Sequence, residues 1–394
     1  MTISDYETFK KEFFDKLRKE SKKCLKVIEK HRQVIEYYFT SKTPMYVRDF
    51  LKQFNYIICS QNIIKFNLFE KILYHDLFTQ ILHEFRVSDV LILACKQLNP
   101  QPDTVLWLLT MGIDYRVQDT DGMTALMYAV RNPILEFAVI EMMKTRGDFI
   151  DYVDNKGNNA LFHATTNIKT FTAFFKYVED YAFNLNHKNY DQEGLFLYCC
   201  RYRKINDDNF YDFLCQKVPI DPYETNIEGK TALMYMAEYF DYRRIASFVR
   251  DYKVDINYQS LRGHTVFSCF MNQYYRFFSS IIYERATFFS FYDYFRRATI
   301  TFMTLVRLKC HINEPLDEYG TTATMILLKI RDMAIYNYLV EHNGKDYDLV
   351  IENRNDGNDR YPSVDFTDPV VQKNHQELQE WEKAILKDMS TKAG

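Results

Sequence analysis

The stretch Asp119–Ala129, DTDGMTALMYA, returns as NIEGKTALMYMA at Asn226–Ala237 and more loosely as DNKGNNALFHA at Asp154–Ala164. Each copy opens with polar residues and a glycine, a turn signal, because glycine adopts positive φ at no steric cost. A Thr or Asn then stands where a helix would begin, ahead of an apolar run. Recurrence at this spacing constrains the fold more than composition does. It implies supersecondary units that bury their apolar faces only by stacking on their neighbours.

With Asp119 as the first residue of a unit, later units start at Asp154, Asn189, Asn226, Ser260, Asp317 and Arg354, at intervals of 35, 35, 37, 34, 57 and 37 residues. A degenerate earlier unit has Asp89–Ala94 as its first helix and Thr104–Met111 as its second. Every unit reads as a turn, a short first helix, a second helix such as Phe137–Met143 or Ile245–Val249, and an exit. These residues resemble ankyrin repeats, whose motif is a hairpin Gly followed by Thr-Pro-Leu-His-x-Ala with a period near 33. The resemblance is carried by Gly122 with Thr124–Ala129 and by Gly229 with Thr231–Met236. Weaker matches are Gly157 with Asn159–Ala164, Gly263 with Thr265–Phe270 and Gly320 with Thr322–Leu327. Ala or Val replaces the motif Pro, and Met, Phe or Ser replaces its His. Gln192 stands where one hairpin Gly belongs. The resemblance covers about residues 89–360 and implies an all-α fold, an α-solenoid of degenerate ankyrin repeats.

Helical extensions flank the array. Residues 1–88 form an N-terminal region expected to cap it, with one long helix or a broken pair over 5–40 that ends at Pro44. Ten basic and four acidic residues lie between Lys10 and Arg32. A basic amphipathic helix can meet a membrane surface or an acidic partner, but a solvated outer face is the expected role. The 57-residue unit carries an aromatic insertion at about 271–300: eleven of the 22 residues from Tyr274 to Phe295 are Phe or Tyr. This surface either packs within the chain, the favoured reading, or docks a partner at residues such as Phe288, Phe289 and Phe291. Pro362 and Pro369 mark an irregular linker, and Gln376–Met389 reads as a terminal helix that docks through Trp381. The linker and helix make up a third region, 361–394.

Little in the chain points to catalysis. All but one of the eleven glycines fall at hairpins or helix exits, which leaves neither a P-loop nor GxGxxG. The nine histidines are scattered without HExxH, and the eight cysteines include no CxxC pair, so no metal and no cofactor is expected. Those cysteines fit reduced thiols in a cytoplasmic or nuclear protein. A net charge of −3 gives the whole molecule no pull toward nucleic acid. No stretch is long and apolar enough for a transmembrane span.

The reading that follows is a noncatalytic protein–protein interaction module, an adaptor or scaffold. The resemblance implies that hairpin tips and first helices meet a partner, usually another protein. The candidate contacts are Met123, Lys156, Tyr190, Ile227, Lys230, Leu261, Arg262, His264 and Tyr319. The alternative is a regulatory or effector protein with a separate activity in residues 1–88, targeted by the repeats. A polar pocket in those residues would favour that alternative, and a closed helical cap would oppose it.

Overall fold

The computed structural model describes residues 2–40, 42–60, 63, 65–144, 151–180, 184–283, 291–317, 319–342, 361–362 and 364–392. The unit start expected at Arg354, and Phe288 and Phe289 of the aromatic insertion, lie outside them. Among the described residues there are helices, turns and no strands. The chain divides into two compact units, residues 1–191 and 192–394.

In the first unit, residues 3–38 form three helices rather than one or two: α1 (Ile3–Leu17), α2 (Lys23–Lys30) and α3 (Arg32–Tyr38). Glu20 takes φ 44° between α1 and α2, a left-handed conformation that stops a helix of L-residues. Pro44 opens the next helix, α4 (Pro44–Ser60), instead of closing this one. At a first helical position its missing N–H has no intrahelical bond to lose. Helices α5 (Phe66–Leu73) and α6 (Thr79–Arg86) follow. Phe9, Phe13, Phe14, Phe50, Phe54 and Phe78 are fully buried, with the Phe14 and Phe50 rings 4.9 Å apart. Burying such a side chain is worth roughly 1.5–3 kcal/mol each.

Three helix pairs complete this unit: α7 (Val90–Lys96) with α8 (Pro102–Thr110), α9 (Ala125–Ala129) with α10 (Glu136–Lys144), and α11 (Ala160–Ala164) with α12 (Ile168–Asp180). First helices stack in the order α7, α9, α11 and second helices in the order α8, α10, α12, while α4 packs on α6 and α7.

The second unit repeats the design with α13 (Leu195–Arg201) and α14 (Asp208–Lys217), then α15 (Ala232–Glu238) and α16 (Tyr242–Tyr252). The aromatic unit supplies α17 (Val266–Ile282) and α18 (Tyr292–Arg307), of 17 and 16 residues, and α19 (Ala323–Lys329) and α20 (Met333–Glu341) follow. The terminal helix α21 begins at Pro369, seven residues before the sequence signal, and runs to Lys392. It lies against α17, α18 and α20, with Trp381 5.1 Å from the Tyr292 ring and Asn374 donating to the Ile282 carbonyl at 3.0 Å. Tyr274, Phe278 and Phe295 are buried, so the described part of the aromatic insertion packs within the chain.

Candidate protein-binding surface

Four of the hairpins are closed in the same way. The N–H of the first residue donates to the carbonyl of the fifth: Asp119 to Met123 (3.0 Å), Asp154 to Asn158 (2.9 Å), Asn226 to Lys230 (3.2 Å) and Ser260 to His264 (2.9 Å). The side-chain oxygen of Asp119, Asp154, Asn226 and Asp317 accepts the N–H groups of the third and fifth residues at 2.8–3.1 Å. This is the local side chain to backbone bonding that favours Asp and Asn in turns. The fourth residue is left-handed, glycine at φ 74–78° in these hairpins and Gln192 at φ 62° in the one that lacks it.

At Gly157 a second demand applies, since a Cβ there would stand 2.6 Å from the Tyr190 N and 2.7 Å from its ring. The next hairpin crosses this close. Tyr190 N–H donates to the Lys156 carbonyl at 2.9 Å, and Asn155 N–H donates likewise to Asp121 at 3.0 Å. Successive tips of the first unit are therefore fixed to one another by backbone bonds.

Four of the hairpins deliver the chain into a helix capped by a threonine, whereas α13 starts at Gly194 with no side-chain cap. The Thr124, Thr231, Thr265 and Thr322 hydroxyls accept the N–H three residues on at 3.0–3.4 Å. Met127 and Met234, at the family's His position, turn their sulfurs to the Thr124 and Thr231 N–H groups at 3.4 Å, as weak acceptors. A further bond ties hairpin to helix nine residues on. Tyr128 OH donates to Asp119 Oδ2 at 2.8 Å, His163 Nε2 meets Asp154 Oδ2 at 2.9 Å, and Asn226 Nδ2 donates to Tyr235 OH at 2.8 Å. Sequence reasoning missed these pairs, although Asp/Asn followed at the ninth place by Tyr/His was there to be seen.

The pairing sets the electrostatics. Burial works against the Asp154 charge, but bonds from His163 and from the Asn158 and Lys156 N–H groups outweigh it and hold the carboxyl at about 2. In the second unit Arg201 bridges Glu193 (2.8 Å) and Glu228 (3.0 Å), and Lys230 holds Glu238 at 2.6 Å.

The candidate contacts fall into three groups. Tyr190, Ile227 and Tyr319 are 65%, 46% and 51% exposed, Leu261 is fully exposed, and Lys156 and Arg262 are exposed as well. Lys230 and His264 are half-buried, and Lys230 is engaged with Glu238. Met123 departs from expectation: it is buried, because the fifth hairpin residue turns inward onto the first helix. It is no tip anchor.

Among the described residues, Glu29, His75 and Asp76 bring metal-ligand atoms together. Arg32 already meets both carboxylates, at 3.0 Å and 3.3 Å, so the cluster reads as an ion-pair network. Helix α4 packs on α7, the first repeat helix, and a groove of about 910 Å³ opens beside α4, α6 and α7. No histidine lines it. Burial pushes its one thiol, Cys59, up to about 12, and its Ser88 hydroxyl donates to the Phe85 carbonyl at 2.8 Å. Neither is an activated nucleophile.

The family model for ankyrin repeats, in three copies, matches residues 91–189. No curated protein matches the chain in sequence. Among solved structures, an ankyrin repeat domain from Acinetobacter baumannii is 18% identical, with 56% of this chain and 98% of that one covered at a TM-score of 0.42. The ankyrin repeat domain of Bcl-3, of the IkappaB family, is 15% identical over 59% and 91%, at 0.43. A chain from a Bdellovibrio bacteriovorus predatory endopeptidase in complex with an immunity protein is 21% identical over 48% and 94%, at 0.38. Recurring hairpins, capped first helices and the matched model agree that the chain carries ankyrin repeats, matched over residues 91–189.

Proposed function

We propose that this protein is a noncatalytic adaptor or scaffold that holds a partner protein against its hairpin tips and the adjoining first helices. Ankyrin repeats generally serve as protein–protein interaction modules. The observation that carries the reading is the exposure of Ile227, Leu261 and Tyr319 at three successive tips of the second unit. Bare turns favour polar residues, and a few large desolvated side chains supply most of the energy of an interface. Tyr190 offers the same kind of group at the last tip of the first unit, and Lys156 and Arg262 supply charge beside these anchors. Eight free cysteines, most of them buried, suit a reducing compartment such as the cytoplasm.

The test is affinity capture of a partner with the full chain, followed by Leu261→Ala and Tyr319→Ala. Each variant should weaken binding by about 2 kcal/mol, roughly thirtyfold. Melting temperatures should stay nearly constant, because these side chains touch little of the core. Normal binding by both variants would refute the tip reading.

A further inference from the structure

From the middle of α1 to the start of α3, residues 10–32 hold ten basic and four acidic side chains. Each of the four acids is engaged. Glu12 meets Lys30 at 2.8 Å and His31 at 3.1 Å, and Asp15 meets Arg18 at 3.3 Å. Glu20 Oε2 accepts the Lys65 N–H at 2.7 Å, and Glu29 meets Arg32 and His75, both at 3.0 Å. Lys10 is held by Asp49 at 2.7 Å and Glu7 at 3.2 Å. Six lysines remain: Lys11, Lys16, Lys19, Lys22, Lys23 and Lys26. Their ammonium groups make no ion pair or hydrogen bond among the described residues. Lys16 is half-buried and the other five are exposed. All but Lys11 fall within eleven residues about the turn from α1 to α2.

Folding does not ask for these charges. Helix α2 begins at Lys23 with no side-chain cap and no acid in its first turn. Lysine at that end opposes the helix dipole, and Lys22 and Lys26, four residues apart, repel one another. The apolar faces of both helices are spent on the core, through Phe9, Phe13, Phe14 and Leu17 of α1 and Cys24, Val27 and Ile28 of α2. What the corner offers to solvent is charge.

The groups missing from the corner narrow the choice of occupant. Between Lys10 and Arg32 no large apolar or aromatic side chain is exposed. A protein partner draws most of its binding energy from such anchors, and a single-stranded nucleic acid stacks its bases on aromatic side chains. An anionic lipid surface needs neither, since it attracts a cluster of about four to eight basic residues through charge alone. Lysine binds phosphate as a point charge, and both arginines of the segment are already engaged with carboxylates. Outside residues 10–32 the chain is net acidic, so the attraction belongs to this corner and not to the molecule as a whole. Screening by salt leaves the nearest charges to decide the contact.

We infer that the α1–α2 corner rests on a membrane surface of anionic phospholipid, with its six free lysines among the phosphate headgroups and neither helix entering the acyl layer. The site is separate from the hairpin tips, and either can fail without the other.

Flotation of the full chain with vesicles tests it. The protein should float with vesicles of phosphatidylcholine and phosphatidylserine in equal parts, and stay behind with phosphatidylcholine alone. Each lysine near such a surface changes the partition about fivefold, so the combined variant Lys19→Gln, Lys22→Gln, Lys23→Gln, Lys26→Gln should bind more than about a hundredfold more weakly. It should melt no lower than the parent, because these lysines are exposed and repel one another. Should it melt lower, the parent's salt dependence decides, and binding unchanged between about 0.1 M and 1 M salt overturns the proposal. So would no flotation, flotation indifferent to phosphatidylserine, or full binding by a variant that melts like the parent. Tighter binding to duplex DNA or to polyglutamate than to the anionic vesicles, at equal concentration of negative groups, would also overturn it and assign the corner to nucleic acid or acidic protein.

Discussion

Asp154 shows how much of a repeat can rest on one side chain. Oδ1 takes two backbone N–H groups at 2.8 Å, and Oδ2 takes the Asn158 amide and His163. Asn226 does the first job equally well without a charge, so Asp154→Asn keeps the turn but gives up the charge and the Oδ2 acceptor of the Asn158 amide. The folded carboxyl lies at about 2, below the ordinary 3.8. A depressed carboxyl adds stability that is complete above the unfolded value and disappears as pH falls through the folded one. The variant should therefore lose about 2 kcal/mol at neutral pH, a loss that shrinks below about pH 4. Urea midpoints of both proteins across that range check it. A gap that does not close on acidification would mean the charge is not what the hairpin uses. The starts of the units were legible at this scale because Asp, Asn and Ser at a turn have one dominant job. The inward turn of Met123 was not, since its direction depends on the fifth residue's pairing back to the first.

At the scale of elements, prolines were the residues most easily misread. Pro44 and Pro369 read as breaks in the sequence, yet each opens a helix, because a ring that disrupts a helix interior is harmless in its first turn. The terminal helix also carries a feature invisible to periodicity. Glu382 on α21 and Asp332 at the start of α20 are both 1% exposed, and Tyr274 OH reaches them at 3.5 Å and 2.5 Å. Burial, then the Asp332 charge, drives the Glu382 carboxyl well above its ordinary value. Burial also raises Asp332, against hydrogen bonds from Glu382, Tyr274 and the Ile335 N–H. A carboxyl whose folded value is raised favours the folded state most below the unfolded value, about 4.3, and loses that contribution as pH rises. Docking of α21 should weaken as pH climbs above about 4, and Glu382→Gln should flatten that slope. Amide hydrogen exchange along α21 at several pH values gives the measurement. Equal slopes in the two proteins would remove Glu382 from the account.

For the whole molecule, fold and binding surface differed in legibility for a physical reason. Stacked repeats reuse one turn, one helix start and one buried position, as Leu126, Leu161 and Leu233 show at 1% exposure, so the pattern is written several times over. A binding surface is used once. The excess of lysine between Lys10 and Arg32 can be counted in the sequence, but which lysines stay free emerges only once the four acids are seen to be engaged. The two surfaces also differ in what drives them, which allows them to be separated on the intact chain. The tips present mainly aromatic and aliphatic groups, Tyr190, Ile227, Leu261 and Tyr319. The α1–α2 corner presents lysines and no exposed large apolar residue. Screening acts over a Debye length that shrinks from about 10 Å at 0.1 M salt to about 3 Å at 1 M. Raising salt across that range should weaken binding to anionic vesicles about tenfold or more and leave a tip-bound partner nearly unchanged. Titrations of vesicles and partner at the two salt concentrations make the comparison, and equal salt slopes would show that the lysines of the corner do not take part.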